Sequence, residues 1–193
     1  GGLSSGLLIS FVLFLFDISR RRSREAAGSA QSLLLETERR LDAQRRLTDA
    51  AAMDSATGLP RFSAQSTAIA ERIGSPGQRG HGLAIVDLDG FGMVNDSFGH
   101  DGGDEVLRRM GQRIIGACME DAQVYRYGGE GFLIHYPDTD IDQLTRLAEE
   151  VRRAVGQPIA LYSTHPTFTV TASIGLAHAP EHGSDMQSLL RSA

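Results

Sequence analysis

The pattern of apolar and polar positions changes along the chain, and the first change comes near its start. Residues Gly6 to Phe16 are almost entirely apolar, and Arg20 to Arg22 follow shortly after them. Arginines directly after an apolar run mark the cytoplasmic end of a membrane helix, whereas a signal peptide carries its charges first. The run is shorter than the about 20 residues that span a bilayer. Segment 1–19 is therefore predicted to be a partial transmembrane helix, with a buried hydrophobic helix as the alternative.

The next segment, 20–53, is charged and rich in helix-forming residues. Leu34, Leu41 and Thr48 recur in it at heptad spacing, although the repeat is short and ends on a polar residue. This pattern predicts a cytoplasmic helical linker, either paired in a coiled coil or present as a single solvated helix. A globular domain is predicted to begin at residue 54 and to continue to residue 193.

Within residues 54–193 the hydrophobic period alternates between that of helices and that of strands. The segment 141–155 places Leu144, Leu147, Ala148 and Val151 on one helical face. Strands separated by helices and by one hairpin predict an α+β fold with a sheet packed by helices. The predicted helices are 62–73, 103–119 and 141–155, and the predicted strands are 83–87, 124–127, 132–136 and 167–177.

Acidic residues follow the first of these strands and lie at the tip of the hairpin. Asp87 and Asp89 end an apolar strand, and alternation places them on one face of the sheet. Glu130 follows two glycines between the hairpin strands. Carboxylates suit hard divalent ions, so Asp87 and Glu130 are predicted to bind metal, while Asp89 is expected to cap the following helix. A polar loop is predicted around residues 95–104.

Four segments in order resemble the GGDEF domain, the diguanylate cyclase family. The third of them, Arg126 to Phe132, matches the family's signature hairpin, whereas Gly102 to Glu105 spell most of the family name but open a helix. The resemblance implies a βαββαβ, nucleotidyl-cyclase-like antiparallel sheet flanked by helices. The four segments are 54–60, 86–107, 126–132 and 171–177.

This resemblance implies a reaction in which two GTP condense to cyclic di-GMP and pyrophosphate, each held by one of two domains. Mg²⁺ or Mn²⁺ would be held by Asp87, Glu130 and the Leu88 backbone carbonyl, with Glu130 also the catalytic carboxylate. The remaining implied contacts are all to GTP. They are Asn95 and Asp104 to guanine, His100 as a further contact, and Gly128 and Gly129 beside the phosphates.

The chain departs from the family at two positions, both occupied by glycine. Gly131 stands where active members have a glutamate, and Gly92 where they commonly have a lysine. The loss of one preorganised group that stabilises the transition state typically lowers the rate on the order of a hundred- to a thousandfold, as removal of an oxyanion-hole donor does. Two interpretations stay open: a cyclase of impaired activity, and a degenerate module that binds GTP or dimerises as a regulator. The family's product-inhibition motif is absent from residues 119–122.

Composition adds the expected setting of the domain. The 193 residues carry a net charge of −5 and one cysteine, Cys118, so no disulfide forms within the chain and nucleic-acid binding is not indicated. The expected location is the inner membrane with the GGDEF domain in the cytoplasm, in bacterial signal transduction. The expected partners are GTP, the membrane and a second copy joined through the linker. The family pattern also implies a C-terminal helix beyond residue 193.

Overall fold

The structure, a computed structural model, describes residues 36–37, 39–41, 51–74, 80–161 and 166–193. The predicted membrane segment lies outside these residues, as do Leu34 and Thr48 of the heptad pattern. Leu41 is about half exposed, and Arg40 forms an exposed ion pair with Glu36 one helical turn earlier. No helix among the described residues is long and apolar enough to cross a membrane. The membrane helix and the coiled coil both stay predictions.

From residue 51 onward the chain forms one antiparallel sheet with helices on both faces. The strands lie in the order β2-β3-β1-β4, and all three neighbouring pairs are antiparallel. The predicted α+β architecture is therefore confirmed. The elements are α1 (Phe62–Ile73), β1 (His81–Leu88), α2 (Phe91–Ala117), β2 (Gln123–Gly128), β3 (Gly131–Pro137), α3 (Ile141–Val155), β4 (Ala172–Ala179) and α4 (Met186–Ser192).

The core is divided by the sheet, because successive side chains of a strand point to opposite faces. In β1, Ala84 and Val86 join the larger cluster with residues of α2 and α3, including Ile114 and Val151. Leu83, which directly precedes Ala84, packs on the other face with residues of α1 and α4. The inward face predicted for α3 is confirmed, since its four predicted residues are buried.

The predicted start of the second helix is wrong, and so is the polar loop predicted around residues 95–104. The helix predicted at 103–119 begins at Phe91 and contains a single non-helical residue, Gly99, with φ 71° and ψ 175°. The supposed polar loop is helical because Phe91 and Val94, one turn apart, are both buried in the core. The polar residues of this segment suggested a loop, although only Gly99 breaks the helix.

The last strand also begins later than predicted, at Ala172 rather than at residue 167. Its pairing partner β1 ends at Leu88, which lies opposite Ala172, so the preceding residues have no strand beside them. Phe168 makes only an isolated bridge with Ile159. The strand instead extends to Ala179, following β1 back to His81.

His135 gives the domain a predictable loss of stability in acid. Its ring is buried, and its Nε2 lies 3.2 Å from Nδ1 of His81. Burial, and then the charges of His81 and Arg72, lower the pKa of His135 from 6.5 to about 4. Between these values the unfolded state binds more protons, so the free energy of unfolding should fall by up to about 3 kcal/mol as pH drops from about 6.5 to about 4.

Urea unfolding at about pH 7 and about pH 4.5 measures this loss. In the His135→Gln variant, which has no imidazole to protonate, the decrease between the two pH values should be smaller than in the wild type. An equal decrease in both proteins would assign the acid sensitivity to other groups.

Candidate functional site

The glycine-tipped hairpin predicted from the sequence is present. Strands β2 and β3 are joined through Gly129 and Glu130, and Gly128 pairs with Gly131. Gly128 and Gly129 have φ of 134° and 47°, a backbone conformation that side chains with a Cβ rarely adopt. The tip therefore offers bare backbone, to which a phosphate can approach closely, with Glu130 directly beside it.

Asp87 lies next to this hairpin, at the end of the neighbouring strand. The register places its Cα opposite Gly131 of β3 and opposite Ser173 of β4, and its side chain is exposed. Directly opposed residues of antiparallel strands project on one face, with Cβ positions about 5 Å apart. Asp87 and the hairpin that carries Glu130 are thus brought to the same end of the sheet, as predicted.

The donor set at this end fits a divalent ion that is shared with a nucleotide. Asp87, Glu130 and nearby backbone carbonyls are oxygen donors of the kind that Mg²⁺ prefers, and Mg²⁺ is usually held by one or two carboxylates plus phosphates. Among the described residues, no three His, Cys, Asp or Glu side chains form a metal cluster on their own. The set suits an ion whose remaining ligands come from a bound phosphate group.

Asp89 does not cap the following helix, contrary to the prediction. The residue before α2 is Gly90, in the left-handed conformation, and no side chain caps the helix there. The two oxygens of Asp89 instead accept hydrogen bonds from the Thr171 and Ser173 hydroxyls, at 2.6 and 2.7 Å. The cause is the antiparallel pairing with β4, which brings these hydroxyls to the end of β1.

The predicted guanine contacts lie on either side of the break in α2. Asn95 precedes Gly99, and Asp104 follows it together with the exposed His100. The Asn95 side chain lies directly against Gly103, where any Cβ would collide with its Oδ1 atom. The helix thus brings the Asn95 amide beside Gly103, the residue before Asp104. An amide and a carboxylate are both able to hydrogen-bond the edge of a purine.

The comparison with known families decides the identity of the fold. The model of the family described as "Diguanylate cyclase, GGDEF domain" matches residues 51–193. The chain belongs to this family. Its predicted membership is therefore confirmed, and the hairpin at Gly128 lies within the matched residues.

Relatives of this GGDEF domain carry different activities in their names. It is 36% identical over 152 residues to the cyclic di-GMP phosphodiesterase PdeR of Escherichia coli K12, covering 78% of this chain and 22% of that protein. It is 34% identical over 185 residues to the diguanylate cyclase DgcM of the same strain, covering 88% of this chain and 43% of that protein. The chain spans less than half the length of either relative.

A solved structure supports the same assignment. The GGDEF domain of DgcB from Caulobacter crescentus, in complex with c-di-GMP, superposes with a TM-score of 0.65 at 26% identity, covering 73% of this chain and 84% of that one. The sheet and its helices are therefore those of a GGDEF domain.

Arg126, two residues before the signature glycines, is a site residue that the sequence reasoning missed. Its guanidinium is buried, and Nη1 donates to the carbonyls of Gly131 at 2.6 Å and of Gly128 at 3.2 Å. The guanidinium also lies 5.1 Å from the centre of the Phe132 ring. Arg126 thus holds together the two residues that flank the hairpin tip. An arginine inside an otherwise apolar strand was the available signal.

Arg126 also links the hairpin to the turn at Asp54, near the start of the GGDEF domain. Its Nε lies 3.7 Å from Oδ1 of Asp54, a buried carboxylate that also accepts from the amide and hydroxyl of Thr57. Burial and the charge of Arg61 lower the pKa of Arg126, and the carboxylates of Asp54, Glu130 and Asp104 oppose this change. The charge of Arg126 thus interacts with acids from three parts of the chain.

The two glycines that replace charged residues of the family differ in the space around them. A Cβ at Gly92, on the exposed side of α2, would meet nothing within 4 Å. A Cβ at Gly131 would lie 3.3 Å from the Gly128 carbonyl oxygen and 3.7 Å from the Tyr127 ring. Gly92 accepts a side chain freely, whereas Gly131 accepts one after an adjustment of a few tenths of an ångström.

Proposed function

We propose that this GGDEF domain binds GTP together with Mg²⁺ or Mn²⁺ at the hairpin end of its sheet, and that it condenses GTP to cyclic di-GMP only slowly. One observation carries the proposal: the register places Asp87 directly opposite Gly131. The half of the site that binds a nucleotide is retained, whereas the position that would add a further carboxylate beside Asp87 has no side chain.

In this proposal each group has one task in binding. Asp87, Glu130 and the Leu88 carbonyl hold the ion, which when bound supplies positive charge beside the phosphates. Gly128 and Gly129 let the phosphates approach the backbone of the hairpin. Asn95 and Asp104 hydrogen-bond the guanine, and His100 adds a further contact to the same nucleotide.

The proposed reaction requires two copies of the domain, each with one GTP. Glu130 accepts the proton of the 3′-hydroxyl of one GTP, and that oxygen attacks the α-phosphorus of the other. The bond between the α- and β-phosphates breaks, and pyrophosphate leaves. A second, equivalent step closes the ring of cyclic di-GMP. Most of the acceleration in such a transfer comes from positioning and charge stabilisation.

The two glycines lower the rate of this transfer rather than the affinity for GTP. Groups that act mainly on the charge of the transition state raise kcat, and deletion of one costs about a hundred- to a thousandfold. Gly92 and Gly131 lack side chains that could contribute such charge. Slow turnover with retained nucleotide binding is the expected combination.

A second candidate function is regulation of a neighbouring domain by the nucleotide-bound GGDEF domain. The relative PdeR, 36% identical, is named for phosphodiesterase activity, and this chain covers 22% of that protein. A GGDEF domain inside such a protein favours a role in which binding, not turnover, is the output. Dimerisation through segment 20–53 and tethering to the inner membrane through segment 1–19 belong to the proposal in both cases, with the domain in the cytoplasm.

Replacing Asn95 by alanine should weaken GTP binding by up to about tenfold, since a neutral hydrogen bond contributes about 0.5–1.5 kcal/mol. Replacing Asp104 should weaken it by about tenfold to a hundredfold, because hydrogen bonds that involve a charged group contribute about 1.5–3 kcal/mol. Competition between GTP and ATP for a fluorescent GTP analogue measures the change. The variants should lose preference for GTP over ATP, since both nucleotides carry the same phosphates. Asp96→Ala, on the exposed side of the same helix, is the matched control. Unchanged GTP affinity in both site variants would refute the guanine assignment.

A further inference from the structure

The peptide unit between Leu88 and Asp89 has an orientation that is fixed by the neighbouring strand. The Asp89 N–H donates to the Thr171 carbonyl, at 2.9 Å. In a trans peptide the C=O and N–H lie in one plane and point in opposite directions. Because β4 and β3 lie on opposite sides of β1, the Leu88 carbonyl points away from β4 and toward the side of the hairpin.

The side chain of Asp89 reinforces the same orientation. Each of its oxygens accepts one hydroxyl, that of Thr171 at 2.6 Å and that of Ser173 at 2.7 Å. Together with the backbone bond, three hydrogen bonds attach this single residue to the β4 side of the sheet. All three residues are exposed, so these bonds do not serve to satisfy polar groups inside the core.

The chain changes direction immediately after this attachment. Gly90 adopts φ 66° and ψ 24°, and α2, which carries Asn95, begins at the next residue. Asp89 is thus the last residue held by the sheet before the turn. Without the hydrogen bonds of the Asp89 side chain, the Leu88–Asp89 peptide would be held by one backbone hydrogen bond and would tilt more freely.

We propose that Asp89, Thr171 and Ser173 are positioning residues, whose hydrogen bonds hold the Leu88 carbonyl toward the divalent ion that accompanies GTP. The inference rests on the proposed function and extends it to residues that do not touch the nucleotide. Removal of a residue that hydrogen-bonds a metal ligand typically lowers the metal affinity of the site by about tenfold or more. The expected effect is therefore on the metal requirement, not on guanine recognition.

The decisive variant is Thr171→Val, which keeps the shape of the side chain and the backbone carbonyl but removes the hydroxyl. The probe is the α,β-methylene analogue of GTP. A methylene group replaces the oxygen between its α- and β-phosphates, so the bond that breaks in the proposed reaction is absent. We expect the Mg²⁺ concentration for half-maximal binding to rise about tenfold. Affinity at saturating Mg²⁺ should stay within about twofold, because the guanine contacts are intact.

Three further variants separate positioning from a general structural effect. Thr171→Ser restores the hydroxyl and should restore the wild-type Mg²⁺ requirement, and Ser173→Ala should raise it as Thr171→Val does. Thr169→Val removes an exposed hydroxyl from the same segment and should leave binding unchanged. Melting temperatures measured without nucleotide should agree among the four variants and the wild type, since the altered side chains are exposed.

The outcomes distinguish the two proposals. If the wild-type protein binds the analogue and Thr171→Val has the same Mg²⁺ requirement as the wild type, the positioning role alone is overturned. A Thr171→Val protein that loses affinity equally at low and saturating Mg²⁺, with a lowered melting temperature, would also overturn it. Wild-type protein that does not bind the analogue at any Mg²⁺ concentration would overturn the proposed function and this inference with it.

Discussion

The double variant Gly92→Lys, Gly131→Glu should form cyclic di-GMP from GTP at least about a hundredfold faster than the wild-type domain. A carboxylate at residue 131 would lie on the same face as Asp87, because the two residues are direct partners in the antiparallel pair. A lysine at residue 92 would project from α2 into open space. The lysine would add positive charge that stabilises the transferring phosphate, and the glutamate would add an oxygen ligand for the divalent ion beside it.

Two control variants match the double variant in side-chain size or in added charge. Gly131→Gln introduces a side chain of the same size without charge, and Gly116→Lys adds a lysine at another open position of α2, where a Cβ meets nothing within 4 Å. Neither should raise the rate of cyclic di-GMP formation, measured by chromatography of the product. Equal rates for Gly131→Glu and Gly131→Gln would show that charge beside Asp87 is not what the site lacks.

Replacing Arg126 by methionine should lower the free energy of unfolding by about 3 kcal/mol. The substitution leaves the buried Asp54 carboxylate without its buried cation, and it removes the donor to the Gly128 and Gly131 carbonyls. Arg61 remains beside Asp54, at 3.1 Å, which keeps the loss at the lower end of the range for broken buried pairs. Urea unfolding at neutral pH measures the difference.

Arg61→Met is the matched control, because Arg61 pairs with the same carboxylate but is about 41% exposed in its side chain, against 6% for Arg126. Its removal should cost about 1 kcal/mol or less. The variant that combines Asp54→Asn with Arg126→Met should be less destabilised than the sum of the single changes, since the two residues are partners. Equal losses for the two arginine variants would contradict the role of burial.

Local patterns were sufficient for the fold and for the position of the hairpin. The glycines at 128 and 129, between strand-forming residues, specify the turn through their own backbone conformation. Asp87 was expected beside the hairpin because the antiparallel sheet implied by the family resemblance pairs these strands, and the structure places it there.

The first part of α2 shows where local signals fail. Asn95, Asp96, His100 and Asp104 suggested a polar loop, but all four lie in the helix. Gly102 and Gly103 belong to the same helix, where a Cβ would collide with Phe98 and with Asn95. The local preference of glycine against helix is about 1 kcal/mol per residue, which the packing of this helix outweighs. Only Gly99 uses the freedom of glycine to break the helix.

The missed contacts of the site join residues that are distant in sequence. Asp89 bonds Thr171, 82 residues later, through a strand pairing that no local pattern reveals. Arg126 reaches Asp54 across the start of the domain, and its role depends on burial between the hairpin and that turn. The sequence contains these residues as single polar side chains without a recognisable spacing.

The most direct measurement is calorimetric titration of the purified chain with the α,β-methylene analogue of GTP, with Mg²⁺ and with a chelator. We expect saturable binding with Mg²⁺ that is outcompeted by GTP but not by ATP, and that is lost with the chelator. Asp87→Asn should lose the Mg²⁺ dependence while its melting temperature is unchanged, because Asp87 is exposed. No binding, or binding indifferent to the chelator and to Asp87→Asn, would contradict a metal-assisted GTP site at the hairpin.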